Sequence, residues 1–204
     1  MREADNGLCP AEPMGQVIEH MRGDAEGGLA AIGQLLLTYP LDPQLHFLQG
    51  SVMAGLQRYD EGRRAMARAV EIAPDFALAR FQLGFLDLTS GRALDACGVW
   101  SPLGNLPDDE PLRVLAEGLA NLASDNFPEA RRLLQKGMAL NTENPLINAD
   151  MQLILDEIAE LPDKISGEAP ALPLIADSEE PAPMSAVDQL LRQSQLRGGS
   201  TRKH

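Results

Sequence analysis

Small residues recur through the middle of this 204-residue chain at a constant interval of 34 residues. Repetition at an interval of about 20–50 residues is typical of architectures in which each repeat is one supersecondary unit. One column of matches would be easy to obtain by chance, but five columns in register would not. The five columns are Gly50, Gly84 and Gly118; Gly28, Gly62, Ala96 and Ala130; Tyr59, Ala93 and Phe127; Pro40 and Pro74; and Leu35, Ala69, Leu103 and Gly137.

The residue types in these columns indicate paired helices. Two antiparallel helices approach closely only where their side chains are small, so glycine and alanine predict the crossing points. Bulky residues such as Tyr59, Trp100 and Phe127 would fill the space between crossings. Aromatic residues make up only 4% of the chain, so the core must consist of aliphatic residues, alanine and methionine, which favour or tolerate helix.

The repeat resembles the tetratricopeptide repeat (TPR), and the match is clearest between residues 80 and 100. There Leu83 and Gly84 occupy the Leu-Gly position of the first helix, Gly91 the turn, Ala96 the small position of the second helix and Trp100 the bulky one. The resemblance covers about residues 11–160. It implies an all-α fold: an α-solenoid of antiparallel helix pairs, a TPR-like superhelix with a C-terminal capping helix.

The chain departs from the TPR pattern at identifiable positions. Gln49 and Glu117 stand where the pattern has leucine, and Thr142 replaces the proline that closes a repeat. Pro102 removes a backbone donor and should end or kink the second helix of the middle unit. We therefore expect an irregular connection between Pro102 and Asp109.

The pattern also predicts the domain organisation. Helices are expected at about 13–20, 24–38, 43–56, 60–72, 77–89, 92–101, 110–123, 127–140 and 145–160, with capping residues before a proline at Asp42-Pro43 and Asn144-Pro145. The predicted segments are a disordered N-terminus (1–10), a solenoid (11–161) with units 11–42, 43–76, 77–110 and 111–144 and a capping helix 145–160, a Pro-rich disordered linker (162–184), a short amphipathic helix (185–197) and a basic tip (198–204).

Charge and composition narrow the range of partners. The formal net charge of −13 disfavours binding to nucleic acid and to anionic membranes. No stretch approaches the roughly 18 apolar residues of a membrane span, and the polar N-terminus does not resemble a secretory signal. Two distant cysteines, Cys9 and Cys97, indicate a reducing compartment. We expect a cytoplasmic protein whose partner is a protein or peptide.

Few residues suggest chemistry. His20, His46 and His204 lack metal-ligand spacing, Cys97 has no histidine at a predictable distance, and no phosphate-binding or nucleophile motif is present. The acidic run 108–110 has two interpretations: an acid/base or cation site, or charge at a helix N-terminus, where the helix dipole favours it. The sequence predicts a protein that is not an enzyme and has no metal or cofactor.

The TPR resemblance implies that the first helix of each repeat lines a concave face. On this chain ten candidate residues, called here the predicted row, occupy the inward positions: Phe47, Ser51, Leu78, Phe81, Phe85, Leu88, Leu112, Leu115, Leu119 and Leu122. The alternative is that these side chains pack between helices or beneath the C-terminal tail, because apolar stripes on helices are usually core.

The chemistry of these positions indicates a type of ligand. TPR co-chaperones that bind an acidic C-terminus use cations here, whereas this chain has apolar and neutral residues. In having an apolar concave face, the chain resembles the TPR chaperones of bacterial secretion systems. We expect an adaptor or chaperone-like scaffold that binds an apolar peptide or helix; the alternative is a structural subunit that docks through helix edges or its tail. Residues 185–197 could also occupy the groove of the same chain, or of a neighbour in a homodimer.

Overall fold

The computed structural model describes residues 7–159, apart from the side chain of Arg22. The predicted linker 162–184, amphipathic helix 185–197 and basic tip 198–204 lie outside this range, as do residues 1–6. The described residues are all-α and contain no strand. None of their helices is long and apolar enough to cross a membrane.

Nine α-helices and one 3₁₀ helix follow one another along the described part of the chain. Their bounds are α1 Ala11–Gly23, α2 Ala25–Thr38, α3 Pro43–Gly55, α4 Tyr59–Ile72, α5 Ala77–Thr89, α6 Ala93–Trp100, the 3₁₀ helix Ser101–Asn105, α7 Pro111–Ala123, α8 Phe127–Leu140 and α9 Pro145–Ile158. From α2 onward each bound lies within two residues of its prediction. The first helix is longer than the predicted 13–20, because Pro13 falls in its first turn, where a helix needs no backbone donor.

Helix α3 begins at a buried aspartate. Asp42 accepts hydrogen bonds from the backbone N–H groups of Gln44 and Leu45, at 2.8 and 3.1 Å. Its other carboxylate oxygen accepts the N–H of Cys9 at 2.7 Å. The predicted cap at Asp42 is confirmed, and it also holds residue 9 of the segment that we predicted to be disordered.

The prediction that the Asn144 side chain caps α9 is wrong. Asn144 precedes Pro145 at the start of α9 but makes no side-chain capping bond. Instead, the backbone N–H of Asn144 donates to the side chain of the buried Asn141, at 3.2 Å. Asn141 in turn donates to Asn148 Oδ1 at 2.8 Å. The asparagines therefore stabilise the turn between α8 and α9 rather than the first turn of α9.

The chain forms two compact units that divide between Leu86 and Asp87, inside α5. In the first unit, α1 packs on α2, α2 on α3 and α3 on α4. Its core includes Ile32, Leu45, Met66 and Ala69. In the second unit, α6 packs on α7, α7 on α8 and α8 on α9.

Glycine permits close contact within the two tightest helix pairs. A Cβ atom placed on Gly50 of α3 would lie 2.8 Å from the backbone oxygen of Gly62 on α4. On α7, a Cβ on Gly118 would lie 3.1 Å from the backbone nitrogen of Leu134 on α8. The 34-residue glycine columns therefore mark helix crossings, as the sequence predicts. Backbone atoms cannot yield as a flexible side chain can, so a larger residue would separate the helices.

This packing leads to a prediction about Gly50. Gly50→Ala should lower the free energy of unfolding by about 1–3 kcal/mol, because the added methyl overpacks the contact between α3 and α4. Gly33→Ala is the matched control, since Gly33 also lies within a helix of the first unit but has no atom within 4 Å of an added Cβ. It should raise stability by about 0.5–1 kcal/mol through helix propensity. Urea denaturation measures both values, and equal effects of the two substitutions would contradict the crossing.

Candidate functional site

The first unit holds five residues of the predicted row, and four of them keep part of their surface accessible. Phe81 is buried, whereas the other four are half-buried. Phe85 stacks on Phe81 with ring centroids 6.4 Å apart. The ring centroids of Phe47 and Phe76 lie 5.3 Å apart in an edge-to-face arrangement. The Ser51 hydroxyl donates a hydrogen bond to the backbone oxygen of Phe47. The half-buried residues are Phe47, Ser51, Leu78 and Phe85.

The second unit holds the other five residues of the predicted row, and all of them are buried. The four on α7 occupy the side of that helix that faces α8. Leu115, for example, lies where a Cβ on Gly137 of α8 would meet it at 2.5 Å. A buried side chain offers no surface to a partner, which favours the alternative interpretation of packing between helices at these positions. The five are Leu88, Leu112, Leu115, Leu119 and Leu122.

An open pocket of about 430 Å³ lies within the second unit. One wall is a single face of α7, and the other is formed by α6 and the 3₁₀ helix that follows it. Along both walls the residues recur every three or four positions, so the pocket runs along the helices as a groove. We call it the α6–α7 groove; it is lined by Leu94, Cys97, Trp100, Ser101, Leu103, Gly104, Arg113, Ala116, Glu117, Ala120, Asn121 and Ser124.

Two departures from the repeat coincide at this groove. Helix α6 ends at Trp100, two residues before Pro102, and is 8 residues long, whereas α4 and α8 have 14 each. The expected termination near Pro102 is therefore confirmed. Glu117, in the place of the usual leucine, lines the facing wall. The shortened helix and the missing apolar side chain leave room where a regular repeat would have packed side chains.

The polar side chains at one end of the groove bind each other. Arg113 Nε donates to Glu117 Oε1 at 2.9 Å, and its Nη1 donates to the backbone oxygen of Leu106 at 2.6 Å. Asp108 contacts the same guanidinium at 2.6 Å. The hydrogen bond with Glu117, followed by the charge of Asp108, raises the pKa of Arg113. These contacts neutralise the cation within the protein and leave the groove without a free positive charge for a ligand carboxylate.

The remaining lining is mostly apolar and includes a leucine, a cysteine and a tryptophan. Leu94 is 80% exposed at the rim, whereas Trp100 is 4% exposed at the base. Trp100 is the single tryptophan of the chain. Cys97 is half-buried between them, and its burial raises the pKa of the thiol. A raised thiol pKa lowers the thiolate fraction at neutral pH, the opposite of what a nucleophilic cysteine needs.

None of the other residues considered for chemistry lines the groove, although Asp108 pairs with Arg113 of its lining. Asp108 and Asp109 are exposed beside the start of α7, as expected for charge at a helix N-terminus. His46 contacts the backbone oxygen of Pro40 at 2.9 Å and so supports the turn before α3. Among residues 7–159 no group of three or more His, Cys, Asp or Glu side chains could hold a metal ion. His204 lies outside the described residues.

Sequence reasoning located the origin of the groove but not the groove itself. Pro102 and Glu117 were both recognised as departures from the repeat. The pattern could not show that the end of α6 and Glu117 form walls of one groove, because they belong to different repeats and come together only when α6 packs on α7.

Comparison with known proteins supports the fold and leaves the family open. No family model and no curated protein matches the sequence. Among solved structures, a MamA fragment (residue 41 to the end) from Desulfovibrio magneticus RS-1 and a MamA RS-1 ArsTM double mutant match with TM-scores of 0.53 and 0.52. Each is 16% identical to this chain, covers 72% of it and is itself covered over 88% of its length. MamA has a TPR fold, so the likeness shows that this chain has a TPR-like fold.

The raised pKa of Cys97 leads to a prediction about its reactivity. In a Cys9→Ser variant the reaction rate of Cys97 with a maleimide reflects its thiolate fraction. Because burial raises the pKa, this rate should still rise with pH where the rate of free cysteine has levelled off. Stopped-flow measurement across the alkaline range tests this, and unfolding in guanidinium should restore the profile of free cysteine. A folded-state profile identical to that of free cysteine would contradict the buried environment.

Proposed function

We propose that this protein is a non-catalytic scaffold that binds an apolar peptide or helix segment of a partner protein, and that the α6–α7 groove receives this segment. The observation that carries the proposal is the groove itself, an open apolar channel where the repeat departs from regular packing. TPR-like folds present surfaces for other proteins, but a fold alone does not specify a function. The argument therefore rests on the shape and chemistry of the groove.

The dimensions of the groove suit a short peptide segment. One wall of the groove extends from Arg113 on α7 to Ser124, the residue directly after that helix. This corresponds to about 16 Å of helix. The volume of about 430 Å³ is within the usual range of roughly 300–1,000 Å³ for ligand pockets. That space accommodates a few apolar side chains from about three turns of a bound helix.

The lining determines which segment would bind. Apolar side chains of the partner would bury surface against Leu94, Cys97 and Ala120, which contributes about 25 cal/mol per Å² of apolar area removed from water. Arg113 is already paired with Glu117 and Asp108, so an acidic C-terminus would find no cation. Basic residues on either side of the partner's apolar segment would be attracted to this chain, whose net charge is −13.

The half-buried part of the predicted row remains a second proposed contact surface, in the first unit. Phe47, Ser51, Leu78 and Phe85 together offer two aromatic rings and an aliphatic side chain that are only partly covered. Aromatic side chains are enriched among the residues that contribute most to binding. The buried members of the row have no part in this surface.

One observation favours the alternative function of a structural subunit. Leu146 and Leu153 lie on the same side of α9 and are 81% and 65% exposed. Exposed apolar stripes on a helix are typical of docking surfaces. Under this alternative the protein would dock through the edge of α9 rather than through the α6–α7 groove.

The groove can be tested with the fluorescence of Trp100. Tryptophan-free amphipathic peptides would be selected from a display library on the intact protein and then titrated while Trp100 emission is recorded. Because Trp100 is at the base of the groove, a bound apolar segment should shift or quench its emission. Ala120→Phe, which fills the groove, should weaken binding by at least about tenfold, or 1.4 kcal/mol.

Ala139→Phe on α8 is the matched control. Ala139 is an exposed helical alanine of the same unit and does not line the groove. It should leave both affinity and emission change intact. Equal loss of affinity in the two variants, or peptide binding without any change in Trp100 emission, would place the binding surface elsewhere.

A further inference from the structure

Helix α9 has the sequence register of the first helix in a repeat. Pro145 lies 34 residues after Pro111, so every position on α9 has a counterpart on α7. The side of α7 that packs against α8 corresponds to one side of α9. The corresponding pairs are Leu112 with Leu146, Leu115 with Ala149, Leu119 with Leu153 and Leu122 with Asp156.

Exposure differs sharply between these corresponding sides. Leu112 and Leu119 are 8% and 0% exposed, whereas Leu146 and Leu153 are 81% and 65% exposed. The opposite side of α9 is buried and includes Met151, consistent with the contact of α9 with α8. Helix α9 thus packs on α8 with one side. Its other side, which would face a second helix in a regular repeat, is exposed to solvent within the described structure.

The chain that directly follows α9 does not continue the repeat. Leu161 and Pro162 match Phe127 and Pro128, but the register then fails. Lys164 stands in the small position of Ala130, and Glu168 in the apolar position of Leu134. Charged residues at these two positions do not fit the apolar contact of the repeat, which favours a covering segment from further along the sequence.

We propose that residues 185–197 of the same chain dock as a helix on the exposed side of α9, across Leu146, Ala149 and Leu153. Val187, Leu190 and Leu191 recur at helical spacing and give this segment one apolar side. It is too short to be stable as an isolated helix, so packing against α9 would supply the missing stabilisation. This docking concerns a surface other than the α6–α7 groove and does not depend on the proposed function.

The connection is long enough for intramolecular docking. The 25 residues from 160 to 184 span a relaxed distance of about 25–30 Å, whereas packed helices lie about 8–10 Å apart. A tether of this length would hold its ligand at an effective concentration of around millimolar. Intramolecular docking therefore prevails over docking between two chains at ordinary protein concentrations.

Charge complementarity also supports docking of residues 185–197 on α9. Residues 185–204 contain four Lys or Arg and one acid, a net charge of +3, while the rest of the chain has 13 Lys or Arg and 29 acids, a net charge of −16. Asp156 and Glu157 are exposed on α9 itself. Arg192 and Arg197 would approach these carboxylates as the apolar residues dock.

The contact would be looser than that between α7 and α8. Gln152 occupies the position of Gly118, where the absence of a side chain permits close approach. Gln152 is exposed and donates to Asp156 at 2.8 Å. Its side chain would keep a docked helix further from α9, so the segment would be released more easily than a regular second helix.

Disulfide trapping in the full-length chain tests the docking. Leu153→Cys would be combined with Leu190→Cys in a Cys9→Ser, Cys97→Ser background. The control pairs Leu190→Cys with Leu94→Cys, because Leu94 is at least as exposed as Leu153, at 80% against 65%, but lies on α6. Under mild oxidation the 153–190 disulfide should form within one chain at least about tenfold faster than the 94–190 disulfide. Non-reducing electrophoresis and intact mass measure both rates.

Amide hydrogen exchange gives an independent readout. Leu190→Asp/Leu191→Asp should increase exchange in α9, because it removes the apolar side of the docked segment. Gln189→Asp/Gln193→Asp adds the same charge on the opposite side of the predicted helix and should leave exchange closer to that of the unaltered chain. Equal disulfide rates at residues 94 and 153, a disulfide that forms only between chains, or equal exchange in the two aspartate variants would each overturn the proposal.

Discussion

The close contact between paired helices is the constraint on which this structure depends. Helices α3 and α4, and likewise α7 and α8, approach so closely that backbone atoms of one helix occupy the place of a Cβ on the other. Gly50 and Gly118 make this possible, and the leucines around Gly118 then become core residues rather than surface. Because interiors are packed as densely as organic crystals, the glycine crossing itself leaves no room for a ligand between the two backbones.

Binding surfaces therefore arise where pairing is incomplete. Helix α6 is shortened before Pro102, and Glu117 replaces an apolar residue, so the contact of α6 with α7 leaves an open groove. Helix α9 is the last helix among residues 7–159, and no described helix covers its exposed Leu146 and Leu153. Both surfaces result from departures from the same 34-residue pattern. The regular parts of the repeat stabilise the fold, and the irregular parts supply the candidate contacts.

The site was harder to predict from the sequence than the fold. Helix bounds followed from proline, glycine and periodicity, which act locally, and they agree with the structure from α2 onward. The predicted row was assigned by resemblance to a concave face, yet Leu115 packs against Gly137 of α8, and Leu119 is fully buried. An apolar stripe has the same spacing whether it faces a partner helix in the same chain or an external ligand. Only the position of the neighbouring helix distinguishes the two.

The 34-residue period by itself determined the all-α class, the order of the helices and the crossings at Gly50 and Gly118, because helix propensity and small-residue spacing are encoded locally. Tertiary structure alone decided which sides of those helices are buried. It also brought Trp100, at the end of the shortened α6, and Glu117 to opposite walls of one groove, and it left Leu153 exposed while its counterpart Leu119 is buried. Burial depends on which helix lies next to each side, and residues from distant parts of the sequence set that arrangement.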